Sequence, residues 1–485
     1  MKRKLWVTSA IAAAFLALIG WISPTPLEWP LAEGCLYEAA MDDGVAEFDL
    51  PFDAAGDAYL LVVSNLANQL QRATATLKCD DAEMPGPRGL RRVAPIDIQA
   101  APADLWRPEN ASAKEASAAL PERTFWLKVG SATSENPATY RPISATLAAT
   151  GIHAAVYVDG DDRVCPSAVD AIIRVFDSQV MPRLTPWFGT AADTDGDGRL
   201  CILLTSWLGR LDEGRVRLGG MVSPADFDPR GKSPQSNRAD VLYLNANLRP
   251  GQHLETLLAH EYAHAVISST RQRISSGQSP VASEESWLNE ALAHVAENLQ
   301  GAGWSNLDHR VAARLASDGD APLAIPRGYA ASHGRWPAVR GSGYLVLRWC
   351  VARYGLELIP RLVHSPHTGV ANLEAATGES FARLYRQFSC DLFQGDWQRL
   401  AGGVPADPTL AMPPLFGAWG DHALAGLRHR TWNLAEQSEA AVEVRGTSSC
   451  YLVVRAEEPG RRRITIAVEQ SGPWQVTVMR LPDLP

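Results

Sequence analysis

The sequence predicts an α+β fold, and three observations predict it. Short β-branched or alternating runs fill residues 33 to about 130, strands and a helix alternate between 150 and 245, and beyond 252 the apolar residues keep a helical period almost throughout. A mixed sheet followed by a helical half defines that class. With 485 residues, 46% hydrophobic and 20% charged, the chain has the apolar content of packed cores. Its length suits two to four domains of about 100–200 residues each. The net charge is −9, and Arg461–Arg463 is the one basic run of the body. A nucleic-acid partner is excluded on that ground, because phosphate binding needs a basic face.

At the start of the chain, Lys2, Arg3 and Lys4 precede an uncharged run, Leu5 to Ile22, that stops at Ser23-Pro24. A basic end followed by an apolar segment is an export signal. Its length lies between a cleaved signal and a spanning helix, and no small-x-small cleavage site follows. Residues 1–24 are therefore a signal peptide or an uncleaved membrane anchor, with the body secreted or held outside the cytoplasm. AYLLVVSN (58–65), ATATLKC (73–79) and RTFWLKVG (123–130) are expected strands of an N-terminal β domain over 33–130, interrupted by a proline-rich connection near 95–121.

GIHAAVYVD (151–159), RLCILLTSW (199–207) and ADVLYLN (239–245) are expected strands, and Pro166 opens a helix carrying Val169, Ile172, Ile173, Phe176 and Val180 on one face. Further helices are expected over 252–269, 284–300, 306–317, 342–354 and 379–394. After a linker at 402–417, CYLVVRA, RITIAVEQ and WQVTVMR return to strands in a C-terminal β domain over 430–485. Every candidate catalytic residue lies between the two proline-rich stretches, so residues 150–400 are expected to form a separable catalytic unit. The seven cysteines suit an exported chain, and by proximity Cys35–Cys79, Cys165–Cys201 and Cys350–Cys390 are expected bridges, with Cys450 left over.

The chemistry centres on LLAHEYAHAVI (257–267). Four residues apart on a helix, His260 and His264 project side by side, which is the spacing two imidazoles need to hold one tetrahedral metal ion. Glu261 follows the first histidine, where it can take a proton from water. A metzincin needs Gly and His three and six residues after the second histidine; those positions are Ile267 and Thr270, so that class is excluded. Downstream, WLNEALAHVAE (287–297) places Glu290 on another periodic helix, far enough along for a loop and an antiparallel return. His260, His264 and Glu290 can then meet around one ion, in the two-histidine, one-carboxylate set of hydrolytic zinc enzymes.

HEYAH followed by WLNEALAHVAE resembles the gluzincin metallopeptidases. DTDGDGRLCILLT (193–205), MVSPADF (221–227), ADVLYLN and GSGYLVLRWCVARYG (341–355) look most like the hyicolysin-type family of that clan, over roughly 150–400. The resemblance implies a zincin-like catalytic domain, a mixed sheet plus a helical half flanked by small β domains. By it His260, His264 and Glu290 are Zn2+ ligands, Glu261 is the general base, and the substrate is a peptide or protein. Zinc aminopeptidases share WLNE, but their G-A-M-E-N signature is missing, the nearest stretch being GGMVS (219–223). An endopeptidase is therefore preferred over an aminopeptidase, and over a non-catalytic surface-binding protein on the same scaffold.

The resemblance also implies a downstream oxyanion donor: Tyr344 matches the family's G-x-x-Y-L stretch, with His333 as its rival. The thermolysin branch has an aspartate at the position of His294, which leaves this histidine either beside the ligands or facing solvent. Glu297 is expected on the surface. Asp193, Asp195 and Asp197 start like a calcium loop, but residue 204 is leucine, so an EF-hand is rejected; a tight turn is preferred, with a small Ca2+ site as the alternative. MVSPADF is expected at a sheet edge that pairs with extended substrate, again by resemblance.

Overall fold

The computed structural model describes residues 31–54, 56–82, 88–96, 120–130, 139–275, 283–301, 306–324, 336–394, 418–419, 422–423 and 427–481. The Leu5–Ile22 segment, His333 and most of both linkers lie outside these residues. Among the described residues no helix is long and apolar enough to cross a membrane.

The expected α+β class is what the structure shows. In chain order the strands are β1 (Leu36–Ala39), β2 (Val45–Phe52), β3 (Ala58–Asn65), β4 (Arg72–Asp81), β5 (Leu90–Val93), β6 (Glu122–Lys128), β7 (Tyr140–Thr150), β8 (Ala154–Asp159), β9 (Leu200–Thr205), β10 (Gly220–Val222) and β11 (Val241–Asn245). After the helices come a two-residue hairpin, β12 (Ala418–Trp419) and β13 (His422–Ala423), then β14 (Arg430–Asn433), β15 (Glu439–Arg445), β16 (Ser448–Arg455), β17 (Gly460–Val468) and β18 (Trp474–Arg480).

A six-stranded mixed sheet, ordered β10-β11-β9-β8-β7-β6, carries the site. Its central β8, β9 and β11 are parallel, β10 and β7 run antiparallel to them, and β6 runs antiparallel to β7. The side-chain period of two sorts each strand onto two cores. On β9, Leu200, Ile202 and Leu204 face the helices, while Cys201 and Leu203 join Phe125, Tyr157 and Tyr243 on the opposite face. RTFWLKVG is the outer strand of this sheet, paired to β7, and so belongs with the helical half rather than with the N-terminal strands.

The helices are α1 (Pro166–Val175), α2 (Met181–Phe188), α3 (Gln252–Ser275), α4 (Ser286–Gln300), α5 (Asp308–Leu315), α6 (Pro337–Tyr354), α7 (Leu358–Val363), α8 (Gly369–Thr377) and α9 (Phe381–Gln394). A π turn over Phe176–Val180 joins α1 to α2. Two glycines of the 341–343 stretch let α6 pack closely: a Cβ on Gly341 would collide with the Arg310 carbonyl of α5, and one on Gly343 would lie 3.2 Å from the Trp287 carbonyl of α4.

The two expected terminal β domains are one domain. β3 pairs with β16 and β18, and β4 with β15 and β17, so strands from both ends interleave in a sandwich of sheets β14-β16-β3-β18-β1-β5 and β15-β4-β17-β2. Its outer face packs on α9 through Leu60, Val62, Tyr451, Met479 and Cys390. The loop after α5 docks on it as well: Thr447 takes backbone hydrogen bonds from Leu323 (2.9 Å) and, at Oγ1, from Ala324 (3.0 Å), while Asp320 is paired to Arg72 (2.7 Å) and Arg445 (2.6 Å).

All seven cysteines are free, and the expected bridges are not formed. For two of the three pairs the physical reason is that the partners lie in different layers. Cys165 is exposed at the start of α1 while Cys201 is buried on the far face of the mixed sheet, and Cys350 and Cys390 lie in different cores; Cys35 and Cys79 both border the sandwich core yet are unbridged.

The sandwich and β6 cover apolar faces of the helical half, so a fragment of residues 140–400 should be insoluble or melt without cooperativity. A soluble fragment with a single sharp thermal transition would contradict this.

Candidate metal centre

Helix α3 runs through the protein interior rather than along its surface. Leu258, Ala259, Tyr262, Ala263 and Val266 are buried, and the Tyr262 ring meets Phe176 edge-on at 5.2 Å. That apolar surround holds His260, Glu261 and His264 where they project toward α4. The two helices bring the sequence-expected ligands together: His260 Nε2 lies 3.1 Å from His264 Nε2 and 3.4 Å from Glu290 Oε2, and His264 Nε2 lies 3.9 Å from Glu290 Oε2.

Each of these side chains is held from behind. His260 Nδ1 donates to Glu297 Oε1 (2.6 Å), His264 Nδ1 donates to Asn289 Oδ1 (3.1 Å), and Arg340 donates to Glu290 Oε1 (2.8 Å). Glu297, expected on the surface, is fully buried; its Oε1 also accepts from His294 Nδ1 (2.9 Å) and Asn306 Nδ2 (2.8 Å). Its position explains the correction: Glu297 lies two turns beyond Glu290, on the face that α4 turns to α3. His294, with solvent and the ligand cluster as its expected alternatives, is also fully buried within that cluster, its ring 4.9 Å from that of His260.

These contacts set the protonation of the group. Burial disfavours charge on His260, but the carboxylates of Glu290 and Glu297 outweigh it and push its pKa up to about 10. Burial and the neighbouring His260 charge push His264 down to about 4, and burial does the same to His294. Glu290 is held well below the usual carboxylate range because the Arg340 charge and the histidines outweigh its burial. Burial raises Glu261 to about 7.

Glu261 packs beneath the outermost strand of the mixed sheet, β10. A Cβ on Gly220 would lie 2.7 Å from Glu261 Cγ and 2.9 Å from its Oε1, so the missing side chain makes room for this carboxylate. MVSPADF starts in this edge strand and then leaves the sheet as a 3-10 turn over Pro224–Phe227.

The residues fit a zinc ion. Ligand atoms about 2.0–2.1 Å from a tetrahedral centre lie about 3.4 Å from one another, and the three separations above bracket that value. Glu290 Oε2 is buried without a hydrogen-bond partner, as is His294 Nε2. His260, Glu290 and His294 also bring one ligand atom each within 4.8 Å of one another, a second set that shares two members with the first. The set with His264 is better placed for chemistry, because the His264 side chain is 13% exposed and that of His294 is 0%.

Other expectations fare differently. Tyr344 is wholly buried; its hydroxyl donates to Asn298 Oδ1 (3.2 Å) and accepts from Arg348 (3.2 Å), so it serves the contact between α4 and α6 rather than a substrate. DTDGDG forms a tight turn in which Arg199 N donates to Asp197 (2.8 Å) and both glycines have φ +79. Asp195 is paired to Arg123 (2.7 Å), and Asp193 and Asp195 gather with the buried Asp240 closely enough to hold a cation. Arg340, Asn289 and Asn306 were not anticipated, and only Asn289, inside WLNE, carried a sequence signal.

This fold and this cluster define an α+β protein with a buried histidine and carboxylate group, shaped for a metal ion, beside the strand that ends the mixed sheet among the described residues. No family model matches the chain. The sequence is similar to the neutral metalloprotease ShpI of Staphylococcus hyicus, 29% identical over 188 residues. The match takes in 37% of this chain and 40% of that protein, so the chain spans less than half the length of this relative.

Replacing Glu297 by Ala leaves two buried imidazoles without their acceptor and should cost about 3–5 kcal/mol, the usual scale for breaking a buried ionic group. Urea unfolding in the presence of a chelator measures this; a loss under 1 kcal/mol, the scale of an exposed pair, would show that the network is not buried as described.

Proposed function

We infer that this protein is an exported zinc-dependent endopeptidase of the gluzincin type. The observation that carries the reading is the triangle of His260 Nε2, His264 Nε2 and Glu290 Oε2, with Glu261 next to it under an edge strand. The similarity to a neutral metalloprotease supports the same class. Export behind Leu5–Ile22 completes the proposal, and a retained segment would anchor the enzyme to the membrane.

His260, His264 and Glu290 would hold the ion. A zinc ion supplies Lewis-acid chemistry there, polarising the scissile carbonyl and lowering the pKa of water to about 7. The remaining work falls to side chains of the chain itself. Glu261 takes a proton from the attacking water on its carboxylate and passes it to the leaving amine. Extended substrate would lie along β10, the outermost strand of its sheet among the described residues, where backbone pairing captures peptides with little sequence demand. The Glu297 carboxylate keeps His260 turned with Nε2 toward the site, a role that typically tunes affinity for metal by about 10–100-fold.

Metal analysis should find one zinc per chain, lost in Glu290→Ala and retained in Glu261→Gln. The second variant should lose turnover by about 10²–10⁴. His264→Ala should lose the metal, whereas His294→Ala should keep it; the reverse outcome would assign the ion to the deeper set. Cleavage of an N-terminally blocked peptide distinguishes the endopeptidase from an aminopeptidase.

Zinc binding should also release protons. At pH 7.5 the metal-free His260, with its pKa near 10, is charged and must lose its proton to ligate, while His264 is already neutral. Calorimetry in buffers of different ionisation enthalpy should therefore give at least one proton released per zinc at pH 7.5, the share from His260 disappearing as the pH rises past 10. No release at pH 7.5 would contradict the protonation described.

A further inference from the structure

We propose that Arg340 is a positioning residue for Glu290, holding one carboxylate oxygen so that only the other is presented to the metal. The proposal rests on the zinc-peptidase reading and deepens it. Arg340 lies in the first turn of α6, and its Nη2 donates to Glu290 Oε1 at 2.8 Å. The other oxygen, Oε2, is the one that faces His260 Nε2 (3.4 Å) and His264 Nε2 (3.9 Å), and it is buried without a hydrogen-bond partner. The two side chains are 19% and 18% exposed, enough shelter for a charge-assisted bond to keep its geometry.

A carboxylate can ligate through one oxygen or both. Binding through both adds a ligand atom and fills a position that a hydrolytic site must leave open. With Oε1 held by a guanidinium, Glu290 offers one oxygen. The same bond fixes the carboxylate plane, as the Glu297 and Asn289 contacts fix the two imidazoles. All three ligand side chains are then held from a second side, each by a different residue. Close packing of α6 places Arg340: Gly341 lies against the Arg310 carbonyl and Gly343 against α4.

The test uses the full-length protein and its Arg340→Gln and Arg340→Lys variants. Zinc affinity is read by competition with a chromophoric chelator, and the visible spectrum of the cobalt-substituted protein reports coordination number. Arg340→Gln should bind zinc about 10–100-fold more weakly, and its cobalt bands should weaken, as they do when a four-coordinate site becomes five-coordinate. Arg340→Lys, which keeps the charge and one donor, should recover part of both. Wild-type affinity and spectrum in Arg340→Gln would overturn the proposal while leaving the peptidase reading intact. A lowered melting temperature with unchanged cobalt bands would also overturn it, since it marks a purely structural arginine. If the wild-type protein binds no stoichiometric zinc, the peptidase reading fails and this proposal fails with it.

Discussion

A carboxylate with no access to water sits at the centre of this protein. Glu297 accepts hydrogen bonds from His260, His294 and Asn306, and so ties together α3, α4 and the segment leading into α5. Burying a charge is costly unless it is paired and hydrogen-bonded, and here every donor falls on Oε1 while Oε2 is buried without one. The three donors must therefore stay in place together, and the helices that carry them cannot slide without orphaning the charge. The alignment that gives Glu297 Oε1 its three donors is also the one that brings the ligand atoms of His260, His264 and Glu290 within 3.9 Å of one another.

Around that centre, the supports come from separate parts of the chain. β10 leaves room for Glu261 through a glycine, α6 sends Arg340 to Glu290, and the sandwich built from both chain ends covers α9 and the loop after α5. Domains that can be separated usually meet through modest, polar contacts. Here Tyr451, Met479 and Cys390 share one apolar cluster across the boundary, and buried Thr447 supplies hydrogen bonds to the backbone of the helical half.

What the sequence made legible follows from the range of each interaction. The His260–His264 pair is local, a matter of helical spacing, and Glu290 follows from one short loop and an antiparallel return. Both were readable. The fate of Glu297 depends on which face of α4 meets α3, and its position along the sequence resembles that of an ordinary surface carboxylate. Arg340 is the same kind of case, 50 residues from its partner. The strands of the sandwich were recognisable one by one, but their pairing across the whole chain leaves no trace in local periodicity. Tyr344 shows the opposite error: a matching motif suggested a catalytic group where the structure has a core tyrosine bonded to Asn298 and Arg348.

The position of the metal ion decides between the two ligand sets. An anomalous difference map from crystals of the zinc-loaded protein, collected on both sides of the zinc absorption edge, locates the ion directly. The account predicts one strong peak bonded to His260 Nε2, His264 Nε2 and one oxygen of Glu290, at about 2.0–2.2 Å from each. A peak on His294 in place of His264, or no peak between α3 and α4, would contradict it.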